Sequence, residues 1–173
     1  MIETAIVTIS DSAAEGLRED ASGPAVRRRI EGLGWRVLSC AIVPDDADLI
    51  SAKLRDLADV DHAPVVLTTG GTGVALRDVT PEATRAVVDR EIPGLGEVMR
   101  SEGRRATPFA ALSRGVAGSR GATLIVNLPG SPKGAVESLE SIANLIPHIV
   151  DLLHGKTRHS EDQVTRDNGR TSI

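Results

Sequence analysis

The sequence predicts an α/β fold, a three-layer αβα sandwich built on a mostly parallel sheet. Three observations carry that expectation. Short runs of β-branched and aliphatic residues alternate with segments of helical period, the pattern of parallel strands joined by crossover helices. The chain has 173 residues, the size of one domain. Its polar and glycine-rich clusters each follow an apolar run, so they fall at strand carboxyl ends, where open parallel sheets bind ligands.

The elements read in order as follows. Ile2 to Ile9 is rich in β-branched residues and predicts a buried strand, closed by Ser10-Asp11-Ser12. Asp11 to Ser22 is polar and contains glycine, which predicts a loop. Val26, Ile30 and Leu33 then recur at helical spacing, and Gly34 stops that helix. Arg36 to Val43 predicts a second strand, with Cys40 as a small buried hydrophobe inside it. After Pro44-Asp45-Asp46 comes a helix bearing Ile50, Leu54 and Leu57 on one face, capped by Asp46 or Asp48. Pro64 to Thr69 is the third strand. Thr80 as N-cap with Pro81 at the first helical position starts a short helix. Further helices are expected from Leu95 to Gly103 and after Thr107-Pro108. Val116 to Arg120 and Thr123 to Val126 predict two more strands. A long helix carries Ala135, Leu139, Ile142 and Ile146 in register, kinked or divided at Pro147. Residues 1–154 thus form one domain, and the polar stretch 155–173, with only Val164 and Ile173 as aliphatics, predicts a flexible tail.

Composition excludes several functions. The formal net charge is −4, without the basic footprint of a nucleic-acid binder. The only aromatic residues are Trp35 and Phe109, too few for a platform that stacks single-stranded bases. A single cysteine permits no internal disulfide and no cysteine-based zinc site. No apolar run approaches the ~20 residues of a membrane span, and no basic leader precedes the first strand. These features predict a cytoplasmic protein that binds neither nucleic acid nor membrane. His62, His148, His154 and His159 share no metal-ligand spacing and are expected to be structural or at the surface.

The chemistry is concentrated after the third strand, in Thr68-Thr69-Gly70-Gly71-Thr72-Gly73 followed by Arg77-Asp78-Val79-Thr80-Pro81. Glycine permits positive φ and close backbone approach, so such a loop can turn its N–H groups to an anion. It is not a P-loop, because no Lys-Ser/Thr follows. It is not the dinucleotide fingerprint either, because Leu76 stands where the third glycine belongs. A glycine cluster alone is most simply a turn; the flanking threonines and Asp78 favour a site. Asp45 and Asp78 each have a bland reading as helix-start residues, but as a pair at two strand ends they suit a Mg²⁺ ion that shares phosphate oxygens. Ser131 is most simply the N-cap of the last long helix, and otherwise part of an anion site at that N-terminus. Lys133 is a surface lysine or a charge clamp.

Thr8-Ile9-Ser10-Asp11, Val43-Pro44-Asp45-Asp46, Thr68 to Gly73, Arg77 to Ala83, Pro93-Gly94-Leu95-Gly96-Glu97 and Asn127-Leu128-Pro129-Gly130 occur in this order. Together they resemble the molybdopterin adenylyltransferases of molybdenum cofactor biosynthesis, the MogA/MoaB type, whose fold the gephyrin G domain shares. The resemblance spans residues 2 to 154. It implies that the terminal phosphate of molybdopterin attacks the α-phosphorus of Mg²⁺-ATP, giving adenylyl-molybdopterin and pyrophosphate. It implies Asp45 and Asp78 as catalytic and metal-binding residues. It places Ser10, Asp11, Thr69, Gly70, Gly71, Thr72, Gly73, Pro129, Gly130 and Ser131 around the pterin phosphate and the nucleotide. It further implies a homotrimer, in some members a larger assembly such as a hexamer, and a molybdate-insertion protein as partner. The short carboxyl-terminal part lies nearer the MoaB branch, so the alternative is a molybdopterin-binding assembly protein without turnover.

Overall fold

The computed structural model describes residues 1–156. Six strands, β1 (Glu3–Ile9), β2 (Arg36–Val43), β3 (Val65–Thr69), β4 (Arg90–Glu91), β5 (Ala117–Arg120) and β6 (Thr123–Leu128), form one sheet in the order β2-β1-β3-β6-β5-β4. The first four strands of that order are mutually parallel, and β5 runs antiparallel to both of its neighbours. The reversal at β5 follows from its position. Only Gly121 and Ala122 separate β5 from β6, a connection that permits a hairpin and no crossover.

Helices cover both faces. The chain moves from β1 through α2 (Ser22–Gly32) to β2 at the edge, then returns through α3 (Ala47–Arg55) to β3 on the far side of β1. Crossovers of one hand in opposite directions put these helices on opposite faces. Alternation along the central strands feeds two cores. Ile6, Val65, Leu67, Leu124, Val126 and Leu128 pack with α2, α5 (Pro93–Ala106), α6 (Pro132–Ile142) and α7 (Ile146–Leu153). Ala5, Val7, Ile9, Val66 and Ile125 pack with α3 and α4 (Thr80–Arg85). Leu67, Leu124, Ile125 and Leu139 are fully buried; truncating one such residue to Ala costs about 2–5 kcal/mol.

Several expectations need correction. The segment after β1 is not all loop. Ser10 accepts a hydrogen bond from the Ala13 N–H and starts a one-turn helix, α1 (Asp11–Ala14). Thr80 is not an N-cap: it lies inside α4, whose cap position is Val79, and its hydroxyl is spent on the Gly70 carbonyl. Cys40 is exposed, because β2 is an edge strand with a solvent-facing row that includes Leu38 and Ile42. The last long helix is divided as expected: α6 ends at Ile142, and α7 begins at Ile146 with Pro147 in its first turn. The two-residue β4 gives no sequence signal. His62, His148 and His154 are exposed. His159 and the tail expected after Gly155, apart from Gly155 and Lys156, lie outside the described residues.

Candidate active site

Register sets the site. Ile9 pairs with Val43, Thr8 with Thr69, and Thr69 with Leu128. Parallel strands that end level release their chains side by side. The Ser10-Asp11, Pro44-Asp45, Gly70-Gly73 and Pro129-Ser131 segments therefore all emerge from one edge of the sheet. Thr69 donates its hydroxyl to the Pro129 carbonyl at 2.7 Å, and the Gly70 N–H donates to the Leu128 carbonyl at 3.2 Å. These bonds tie the glycine loop to the turn after β6.

The loop needs its glycines. Gly70 and Gly71 have φ of 107° and 65°, a region costly for other residues. A Cβ on Gly70 would lie 2.3 Å from the Ile9 carbonyl oxygen, and one on Gly71 2.3 Å from Thr80 Oγ1. The resulting path turns the loop carbonyls into the protein. Thr80 Oγ1 donates to the Gly70 carbonyl (2.9 Å) and the Thr80 N–H to the Gly71 carbonyl (3.1 Å). The Arg114 N–H donates to the Thr72 carbonyl (2.8 Å), and Arg114 Nε to the Gly73 carbonyl (2.7 Å). The N–H groups of Gly71, Thr72, Gly73 and Val74 have no acceptor among the described residues. Carbonyls held and N–H groups free is the arrangement that binds anions.

The Asp11 and Asp45 carboxylates stand on one flank, and Asp78 lies across the loop from them, in the wall of the cleft. The Asp11 N–H donates to Asp45 Oδ2 at 3.0 Å, and the Asp45 N–H donates to Asp11 Oδ1 at 2.9 Å. This reciprocal pair joins the loops after β1 and β2. Arg77 pairs with the second Asp11 oxygen; both side chains are partly exposed, so this ion pair adds little stability. Asp45 is not the helix cap, because Asp46 accepts from the Asp48 and Leu49 N–H groups at the start of α3. Asp45 is left to face the loop, its Oδ1 3.0 Å from where a Gly71 Cβ would stand. Its carboxyl pKa is raised, chiefly by burial and further by the charges of Asp11 and Asp78, against the lowering pull of the Asp11 N–H and Arg77. Asp78 does not cap α4 either. Its Oδ2 accepts from the Ala75 N–H at 2.9 Å.

A cleft of about 380 Å³ opens on the other flank. Gly71, Thr72, Gly73, Asp78, Pro129, Gly130 and Ser131 lie in its wall. Ser10, Asp11, Thr69, Gly70 and Asp45 do not. Asp45 leads into α3 on one face of the sheet, whereas the cleft is bordered by α5 and α6 on the other. The predicted residues therefore share a sheet edge but not one crevice, and Gly71 touches both sides. Ser131 is the N-cap of α6, accepting from the Gly134 N–H at 3.1 Å. Lys133 is exposed beside Glu137, 3.7 Å away.

Sequence reasoning missed the far wall of the cleft, where Met99, Phe109 and Leu112 form an apolar patch and Arg100 a cationic one. It also missed Arg114, which sits beyond the cleft and grips the loop. Asn127 is spent on structure. Its amide nitrogen donates to the Thr68 and Thr84 hydroxyls, and its oxygen accepts from the Val116 N–H. Met99, Arg100, Phe109, Leu112 and Arg114 are scattered over separate segments and carry no spacing motif.

A mostly parallel sheet with a free N–H run, two carboxylates and a cleft at its carboxyl edge is the arrangement with which open α/β domains bind ligands. Comparison with known proteins narrows that class. Residues 5–148 match the family described as "Probable molybdopterin binding domain", and the chain belongs to this family. It is 43% identical over 156 residues to a molybdopterin adenylyltransferase of Helicobacter pylori strain J99, covering 89% of each chain. It is 45% identical over 149 residues to the Drosophila melanogaster molybdenum cofactor synthesis protein cinnamon, of whose length it spans 25%. A crystal structure of the molybdopterin biosynthesis enzyme MoaB from Thermus thermophilus superposes with a TM-score of 0.85 at 51% identity, over 90% of this chain and 98% of that one. No helix among the described residues is long and apolar enough to cross a membrane.

Proposed function

We propose that this protein adenylylates molybdopterin with Mg²⁺-ATP and releases pyrophosphate. The observation that carries the reading is the glycine loop, whose carbonyls are held and whose N–H groups from Gly71 to Val74 are free beside the Asp45 and Asp78 carboxylates. The molybdopterin phosphate is an anionic nucleophile at neutral pH, so its oxygen attacks the α-phosphorus without a strong base. The P–O bond to pyrophosphate breaks as the new bond forms. What such a transfer needs is alignment and charge stabilisation. The loop N–H groups supply fixed donors for phosphate oxygens.

Asp45 and Asp78 fit a Mg²⁺ ion. Among the described residues no group of three acidic, histidine or cysteine side chains forms a closed metal cage, and Mg²⁺ is commonly held by one or two carboxylates with water and substrate phosphates completing its shell. Bound there, the ion would offset negative charge on the phosphates. Asp11 keeps Asp45 in place and Ser10 caps the short helix that begins with Asp11, while Thr69, Pro129, Gly130 and Ser131 anchor and border the loop. The setting is the cytoplasm. The working form is a homotrimer or a hexamer built from it, and the product passes to a molybdate-insertion protein.

The test is incubation of the full chain with molybdopterin, ATP and Mg²⁺, with pyrophosphate release as the readout. Release that depends on all three supports the reading. Binding of molybdopterin with no release identifies an assembly protein without turnover.

A further inference from the structure

We propose that Arg114 is a positioning residue: it shapes the anion-binding face of the glycine loop from behind without touching substrate. The inference rests on the adenylyltransferase reading and adds to it a residue outside the cleft. Arg114 is the N-terminal neighbour of the Gly115-Val116 approach to β5, yet its contacts reach back to the loop. Its N–H holds the Thr72 carbonyl, its Nε the Gly73 carbonyl and its Nη2 the Asp78 carbonyl. One residue thereby fixes peptide units at both ends of the segment from the glycines to the second aspartate.

Peptide planarity makes those bonds directional. In a trans peptide the N–H of a residue points opposite to the carbonyl of the residue before it. With the Thr72 and Gly73 carbonyls turned to Arg114, the Gly73 and Val74 N–H groups must face away from it. These are two of the N–H groups with no acceptor among the described residues. The third grip, on the Asp78 carbonyl, sets the backbone from which that carboxylate projects.

Arg114 is itself fixed and neutralised. Its Nη1 and Nη2 also meet the carboxylate of Glu82 on α4, and that bond holds the Glu82 carboxyl below the usual range. The fork of guanidinium donors is thus committed to two loop carbonyls and one carboxylate. A lysine ammonium is a single point donor and cannot span these acceptors together.

The experiment compares full-length wild type with Arg114→Ala, Arg114→Lys and Glu82→Gln. It measures Mg²⁺-ATP affinity by calorimetry, the KM and kcat of pyrophosphate release, and thermal melting. Arg114→Ala is expected to weaken Mg²⁺-ATP binding and raise its KM at least tenfold. Arg114→Lys should recover only part of the loss. Glu82→Gln should stay within threefold of wild type, since the bonds to the loop carbonyls remain. On an Asp78→Asn background Arg114→Ala should cost clearly less than alone, because both act through one segment. Wild-type affinity and KM in Arg114→Ala, or full recovery by Arg114→Lys, overturns the proposal alone. If Arg114→Ala does not fold, the lysine variant decides by the same measures. Wild type that binds no Mg²⁺-ATP overturns the nucleotide reading and this proposal with it.

Discussion

The two flanks of the glycine loop are built for different tasks. On the carboxylate flank the Asp11 and Asp45 N–H groups each donate to the other's carboxylate, Arg77 pairs with Asp11, and Asp45 carries a raised pKa because it is partly desolvated. On the cleft flank the lining is open, with an apolar wall of Met99, Phe109 and Leu112 opposite the loop and the capped start of α6. Charge is held by short bonds between two strand-end loops, whereas shape is supplied by helices on the other face of the sheet. The division makes the loop a partition: Gly71 lets Asp45 approach from one side, while the cleft, with Asp78 in its wall, opens on the other.

The largest effect that would sharpen this contrast is expected at the carboxylates. Asp78→Asn should lower turnover about 100-fold or more and leave melting unchanged, read by pyrophosphate release and thermal denaturation. Asp45→Asn should lose turnover comparably but raise the stability of the metal-free protein at neutral pH. The sign follows from the raised pKa: the ionised carboxylate is disfavoured in the folded state, so a neutral isostere gains wherever Asp45 would be charged. The gain should vanish as pH falls through the Asp45 pKa of the metal-free protein. Equal melting of Asp45→Asn and wild type at all pH values would break the contrast.

A smaller but still large effect belongs to the partition. Gly71→Ala must displace Thr80 and adopt positive φ, and should cost about 1–3 kcal/mol in denaturant unfolding together with ligand affinity. Ser131→Ala removes a helix cap and should cost about 1 kcal/mol. If kcat survives, the hydroxyl serves α6 alone. The smallest stability effect is expected for Phe109→Ala on the cleft rim. Phe109 is 75% exposed, so unfolding should move by about 0.5 kcal/mol or less while molybdopterin affinity drops severalfold.

Much of this was legible in the sequence because it depends on local pattern. The strand from Ile2, the runs ending at Val43 and Thr69, and the Asn127-Leu128-Pro129 turn all announce themselves by composition, and parallel pairing then aligns their ends. The Asp45-Asp78 pair was legible as two acids at two strand ends. What stayed hidden depends on long-range contact. Thr80 reads as a cap because Pro81 follows it, yet tertiary bonding to Gly70 claims its hydroxyl. Cys40 sits in an apolar run and reads as buried, but the rank of β2 in the sheet is not written in β2. Arg114 lies 36 residues in sequence from Asp78, and nothing around it marks a role.

The unpartnered N–H groups of the loop have one more consequence, in the time domain. Amides without an acceptor trade their hydrogens with solvent without waiting for the fold to open, whereas those of β1, β3 and β6 must wait for rare opening. The Gly71, Gly73 and Val74 amides should thus exchange faster than those of the strands, with that of buried Thr72 slower than its neighbours. Any anion that settles there should slow them selectively, so the chain carries its own reporter of occupancy, free of label and of turnover.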